Sequence, residues 1–106
     1  MAFNCTLDLV DSIAKVFLSG ELDASAAGQF KAKVEEAAAG HPKKLVLMMQ
    51  DLEFMASAGL RVLIFARQKM GADVDIYVVG AQEGVVDTLM KTGFNRSVIL
   101  QDTFEE

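Results

Sequence analysis

The segment Phe54-Met55-Ala56-Ser57-Ala58-Gly59-Leu60-Arg61 sets a small hydroxyl residue among alanines and a glycine. It falls at the junction between a strand and an amphipathic helix, and nothing bulky stands beside it. A serine at a helix start can accept a backbone N–H of the first turn and cap the helix, worth about 1 kcal/mol. The same place can receive a phosphate, whose charge suits the positive end of the helix dipole. Residue type alone leaves both roles open to Ser57. Arg61 lies four residues on, one helical turn away. There its guanidinium could meet a phosphate on Ser57 or an acidic group on a partner.

Other candidate chemistry is sparse. Cys5 is the only cysteine and alternates with Phe3 and Leu7, as a buried strand thiol does. His41 is the only histidine and stands beside Pro42 in an expected loop, with no second ligand nearby to hold a metal. Neither a G-x-x-x-x-G-K-[ST] nor a G-x-G-x-x-G motif occurs, so the common phosphate cradles are missing. A lone histidine completes no Ser-His-Asp or Cys-His set. Glu35 and Glu36 read as a solvated helix face. These residues describe a binding protein, not an enzyme, with no cofactor.

The elements that must position Ser57 follow from periodicity. Phe3 to Leu9 alternates apolar with polar residues and predicts a half-buried strand. Asp11-Ser12 predicts a turn, and Ile13 to Leu18 the second strand of a hairpin. Ser19 to Asp23 reads as a loop ending in an N-cap. Ala26, Phe30, Val34 and Ala37 share one face of a first helix, which Gly40 and Pro42 end. Leu45 to Met49 is continuously apolar and predicts a parallel strand covered on both faces. Gln50 to Met55 reads as a loop. A helix follows from about Ala58 to Met70, with Leu60, Leu63, Ile64 and Phe65 inward and Arg61, Arg67, Gln68 and Lys69 solvated. Ile76 to Val79 predicts another strand. A third helix carries Val85, Val86, Leu89 and Met90, and Ser97 to Leu100 a short last strand. The acidic tail reads as loose, and the six methionines as packing residues. The expected class is α/β, in the order ββαβαβα plus a short strand.

With 106 residues the chain is long enough for one domain, residues 1–106, with a core of its own. About half of it is apolar (52%), which excludes a disordered chain. The net charge of −5 argues against a nucleic-acid partner, which needs clustered Lys and Arg. No apolar run reaches the ~18–20 residues that cross a bilayer, so membrane insertion is not expected. The first residues show no basic and then apolar leader. A cytoplasmic location is expected, and the sequons Asn4-Cys5-Thr6 and Asn95-Arg96-Ser97 are then chance matches.

The hairpin start, Gly20-Glu21-Leu22-Asp23, the strand Leu45 to Met49 and the segment Asp51 to Leu60 together resemble STAS domains, the class of the bacterial anti-sigma-factor antagonists. The resemblance covers nearly the whole chain. It implies a mixed sheet with an N-terminal hairpin and helices packed against it. It also implies a partner that is both anti-sigma factor and serine kinase. In the family, phosphorylation of a serine at the start of the second helix breaks that complex, and a serine phosphatase resets it. The matching serine is Ser57. Asp23 matches a loop residue on the same partner-facing surface, which the resemblance extends to Glu21, Ala56, Ala58, Gly59 and Arg61. Free protein is expected to be a monomer. Three positions differ from the family's usual pattern. Ala56 stands where it has aspartate, Ala58 where it has Ser or Thr, and Arg61 where glycine is common. With Ala58 in place of a second hydroxyl, a phosphate on this motif goes to Ser57. The alternative reading is a STAS module that binds constitutively, beside a transporter ATPase or in a signalling assembly.

Overall fold

A computed structural model describes residues 3–104. Met1, Ala2, Glu105 and Glu106, and with them the end of the acidic tail, lie outside the described residues. Strand β1 (Asn4–Val10) and strand β2 (Ile13–Leu22) form an antiparallel hairpin. Its turn, Asp11-Ser12, has both φ angles positive (53° and 68°), the geometry that matches strand twist in a two-residue hairpin. Helix α1 (Ala27–Ala39), strand β3 (Lys44–Met55), helix α2 (Ser57–Met70), strand β4 (Asp75–Val79) and helix α3 (Glu83–Thr92) follow. A 3-10 turn at Phe94–Ser97 then leads into strand β5 (Ile99–Gln101). The sheet order is β1-β2-β3-β4-β5, parallel from β2 onward.

Each crossover from β2 to β5 moves one strand along in the same direction. Right-handed connections then put all three helices on one face. Alternation turns Ala14, Val16 and Leu18, Leu45, Leu47 and Met49, and Ile76 and Val78 toward them. These join Phe30, Val34, Leu63, Val85 and Leu89 in one core, while Val46 and Val79, of opposite parity, stay outside it. Full burial of a side chain such as Phe30 or Leu63 contributes roughly 2–3 kcal/mol.

The structure differs from the sequence reading at several points. Ser19 to Leu22 and Gln50 to Met55 are strand, not loop, because each segment finds a partner in the other. β3 is covered by helices on one face only, and Met48 is half-buried. On α2 the buried positions are Gly59, Leu60, Val62, Leu63 and Ala66. Ile64 is exposed and Phe65 half-buried, with the Lys31 ammonium over its ring. Arg67 is not solvated; its guanidinium donates to the carbonyls of Gly71, Val74 and Ser97 at 3.0, 2.7 and 2.8 Å. Met90 is exposed, unlike the other described methionines. Gly40 ends α1 as expected, with right-handed geometry, and the left-handed residue there is His41. No helix among the described residues is long and apolar enough to cross a membrane.

Candidate functional site

β2 and β3 outrun their neighbours. β3 pairs with β4 only as far as Met48 with Val79, yet continues beside β2 through Asp51 with Ser19, Leu52 with Gly20, Phe54 with Glu21 and Met55 with Leu22. The result is a two-stranded ribbon at one end of the sheet. Gly20 lies in it at φ +83°, where the register shifts, a conformation that glycine adopts without strain. Leu22, Leu52 and Met55 are buried along the ribbon, while Glu21, Asp51, Glu53 and Phe54 are exposed. The ribbon delivers two helix starts side by side. The Ala56 N–H donates to the Leu22 carbonyl at 2.8 Å, joining the end of β3 to the end of β2.

The first start is closed by Asp23. Its Oδ1 accepts the Ala26 N–H at 3.0 Å and the Ser25 hydroxyl at 2.7 Å. Its carbonyl accepts the N–H groups of Ala26 and Ala27, both at 3.1 Å. The Ser25 hydroxyl, and then the Ala26 N–H, hold the Asp23 carboxyl below the usual aspartate range. Asp23 thus closes the turn before α1, to which its carboxylate is committed; the sequence reading puts that cap on the helix itself, whose N-cap position is Ala26 and makes no side-chain capping bond.

The second start is bare. Helical geometry begins at Ser57, and the N-cap position belongs to Ala56, which has an extended ψ of 170° and no side chain able to cap. Ser57 therefore does not cap α2, contrary to one of its two readings; it is the first helical residue and is exposed. The Gly59 and Leu60 N–H groups reach the Ala56 carbonyl at 2.9 and 3.3 Å. No acidic residue sits in the first turn to answer the helix dipole. Arg61 is exposed one turn on and makes no hydrogen bond or ion pair among the described residues.

Gly59 lets α2 seat this way. A Cβ there would stand 2.7 Å from Leu22 and 2.9 Å from Met55, so only glycine allows the first turn to lie against the ribbon. Of the sequence candidates, Glu21, Ser57 and Arg61 are exposed. Asp23, Ala56 and Ala58 are half-buried, and Gly59 is buried beneath the others. Two apolar residues were missed. Phe54 is 50% exposed opposite Glu21, and Ile64 is 41% exposed on the α2 stripe that carries Ser57 and Arg61. The spacing of 57, 61 and 64 is a helical stripe, so Ile64 was findable. Phe54 was not, because its outward turn follows the register shift between Gly20 and Glu21.

No group of three His, Cys, Asp or Glu residues that could hold a metal occurs among the described residues. Burial pushes the Cys5 thiol up to about 11, which keeps it protonated and unreactive at neutral pH. A cavity of about 480 Å³ lies between the C-terminal ends of α1 and α2, lined by Glu35, His41, Lys69 and Val74 among others. It is at the far end of both helices from Ser57 and is lined by none of Glu21, Asp23, Ser57 and Arg61.

Comparison with known proteins gives a consistent picture. A STAS domain model matches residues 5–106. The anti-sigma-F factor antagonist RsfB of Mycobacterium tuberculosis is 30% identical over 69 residues, which is 65% of this chain. The chain spans 57% of the length of that curated relative. Among solved structures, an anti-sigma factor antagonist from Mycobacterium paratuberculosis superposes with a TM-score of 0.88 at 24% identity, over 97% of this chain and 88% of that one. The Bacillus cell fate determinant SpoIIAA, solved in its phosphorylated form, superposes with a TM-score of 0.73 at 20% identity, over 92% of this chain and 90% of that one. At such identities the two structures speak for the fold alone.

Proposed function

The chain belongs to the STAS domain family, and we propose that it is an anti-sigma-factor antagonist, a single STAS unit over residues 1–106 whose grip on its partner is released by phosphorylation of Ser57. The observation that carries this reading is the bare start of α2. Ser57 is exposed at a helix N-terminus that no side chain caps and no acidic residue neutralises. A phosphate there adds about −1.5 to −2 charges beside unsatisfied N–H groups and the positive end of the dipole. The fold carries that charge at little cost. A partner surface pressed against the same spot does not, and an uncompensated like charge at an interface costs several kcal/mol, orders of magnitude in affinity. The relative RsfB, an anti-sigma-F factor antagonist, supports the reading.

The partner is an anti-sigma factor that is also a serine kinase, with a serine phosphatase to reset the cycle in the cytoplasm. Glu21, Phe54, Ser57, Arg61 and Ile64 form the surface it meets, apolar at Phe54 and Ile64 and charged between. Ala56, Ala58 and Gly59 keep the backbone around Ser57 open. Asp23 holds the neighbouring turn. The reading assigns the chain binding and no catalysis.

Phosphopeptide mass spectrometry of the native protein across growth states tests this directly. Phosphate on Ser57 that varies with growth state is expected, and Ser57→Glu is expected to lose the partner that wild type retains. A fully covered peptide that never carries phosphate, with Ser57→Glu binding as wild type does, leaves a constitutive binding module instead. Ala56 is the observation on that side, since the family's aspartate before the serine is missing.

A further inference from the structure

The helices leave one face of the sheet without helix cover, and the chain itself crosses that face. Phe104, beyond β5, stands on the Tyr77 ring in an edge-on contact, with centroids 5.2 Å apart and planes at 66°. The Lys15 and Lys44 ammonium groups lie 5.5 and 5.9 Å from the centre of the Phe104 ring, and Lys44 also lies 5.7 Å from that of Tyr77. The strand register aligns two rows on this face. One is Phe17, Met48 and Val79; the other is Lys15, Val46, Tyr77 and Ile99. Val46 is fully buried although no helix covers it, whereas Phe17 is 43% and Ile99 38% exposed.

We propose that residues 102–104 form a strap, held by Phe104 on Tyr77, that keeps this face from stacking on the same face of a second copy. The chemistry of the face suits itself. An apolar centre is bordered by acid–base pairs of both signs, Asp8 opposite Lys15 and Asp75 opposite Lys44. A two-fold axis can set each acid of one copy toward a base of the other. Sheets stack face to face about 10 Å apart, a gap filled by the side chains of both inner faces. A ring already standing on Tyr77 occupies that layer. Removing it leaves an exposed apolar patch of the kind that marks an association surface.

The test is sedimentation equilibrium of the full chain. Wild type stays monomeric. Phe104→Ala dimerises at a concentration about tenfold or more below any wild-type association, the loss expected from one edge-on aromatic pair and its cations. Phe104→Tyr, which keeps the ring, behaves as wild type. Phe104→Ala combined with Phe17→Lys returns to monomer, because a cation then sits in the apolar row. Phe104→Ala that stays as monomeric as wild type, or a double variant that still dimerises, overturns the proposal. Should Phe104→Ala fail to fold, two-dimensional NMR of the wild type decides. Cross-peaks between the Tyr77 and Phe104 rings support the strap, and their absence removes it.

Discussion

Both helices that begin on the β2–β3 ribbon have an alanine at the N-cap, but the chain enters them in different ways. The turn into α1 is closed by Asp23, whose carboxylate holds the Ala26 N–H and the Ser25 hydroxyl. The start of α2 has alanine at the N-cap and no side-chain bond at all. Helix starts are a fixed demand on the chain, since the first N–H groups have no partner within the helix. A start that meets the demand internally has nothing left to offer an incoming anion. One that leaves it open keeps donors and a positive dipole end in reserve. This chain does both within a few residues, and the exposed serine is on the open side.

The largest test of that contrast removes the geometry that holds α2 in place. Gly59→Val drives two branches into Leu22 and Met55 and should cost about 3 kcal/mol in a urea titration. A near-neutral result means that the first turn of α2 is not seated on the ribbon. Making the two starts alike is the next step. Ala56→Asp supplies the missing cap and should raise stability by about 1 kcal/mol.

Removing the cap that exists is the mirror experiment. Asp23→Ala should lower Tm at neutral pH, and the deficit should depend on pH. The folded carboxyl of Asp23 titrates below its usual value. Its stabilisation is therefore fully present above the unfolded pKa of about 4 and fades as pH falls through the lower, folded value. Thermal scans of wild type and variant should then converge in acid, and a gap that persists there contradicts the assignment. The smallest effect is expected at Ser57→Ala. Having no capping bond to lose, it should stay within about 0.5 kcal/mol of wild type. A loss near the cost of a cap would return Ser57 to that role.

Much of this was readable from residue pattern. The alternation of Cys5, the face of Phe30 and Val34, and the apolar runs around Leu47 and Val78 predict the order of strands and helices, because burial imposes periods of two and of 3.6. What escaped lies where a contact between distant segments decides. Gln50 to Met55 looks like a loop by composition, and becomes strand only because Ser19 to Leu22 runs beside it. The buried face of α2 turns away from Ile64 toward Gly59, Val62 and Ala66, since the small residues Gly59 and Ala66 allow close approach there. Ser57 has the right type for a cap but sits one residue inside the helix, a distinction made by the ψ of Ala56. Phe104 falls in a segment that reads as a loose tail, and only the rings and ammonium groups on the sheet face explain its place.

Arg67 gives α2 a direction in time. Its guanidinium ties the far end of the helix to Gly71, Val74 and Ser97, whereas the near end rests on packing and on the single Ala56 to Leu22 hydrogen bond. Local openings start where the fewest bonds must break. Fraying of α2 is therefore expected to begin at Ser57 and not at Arg67.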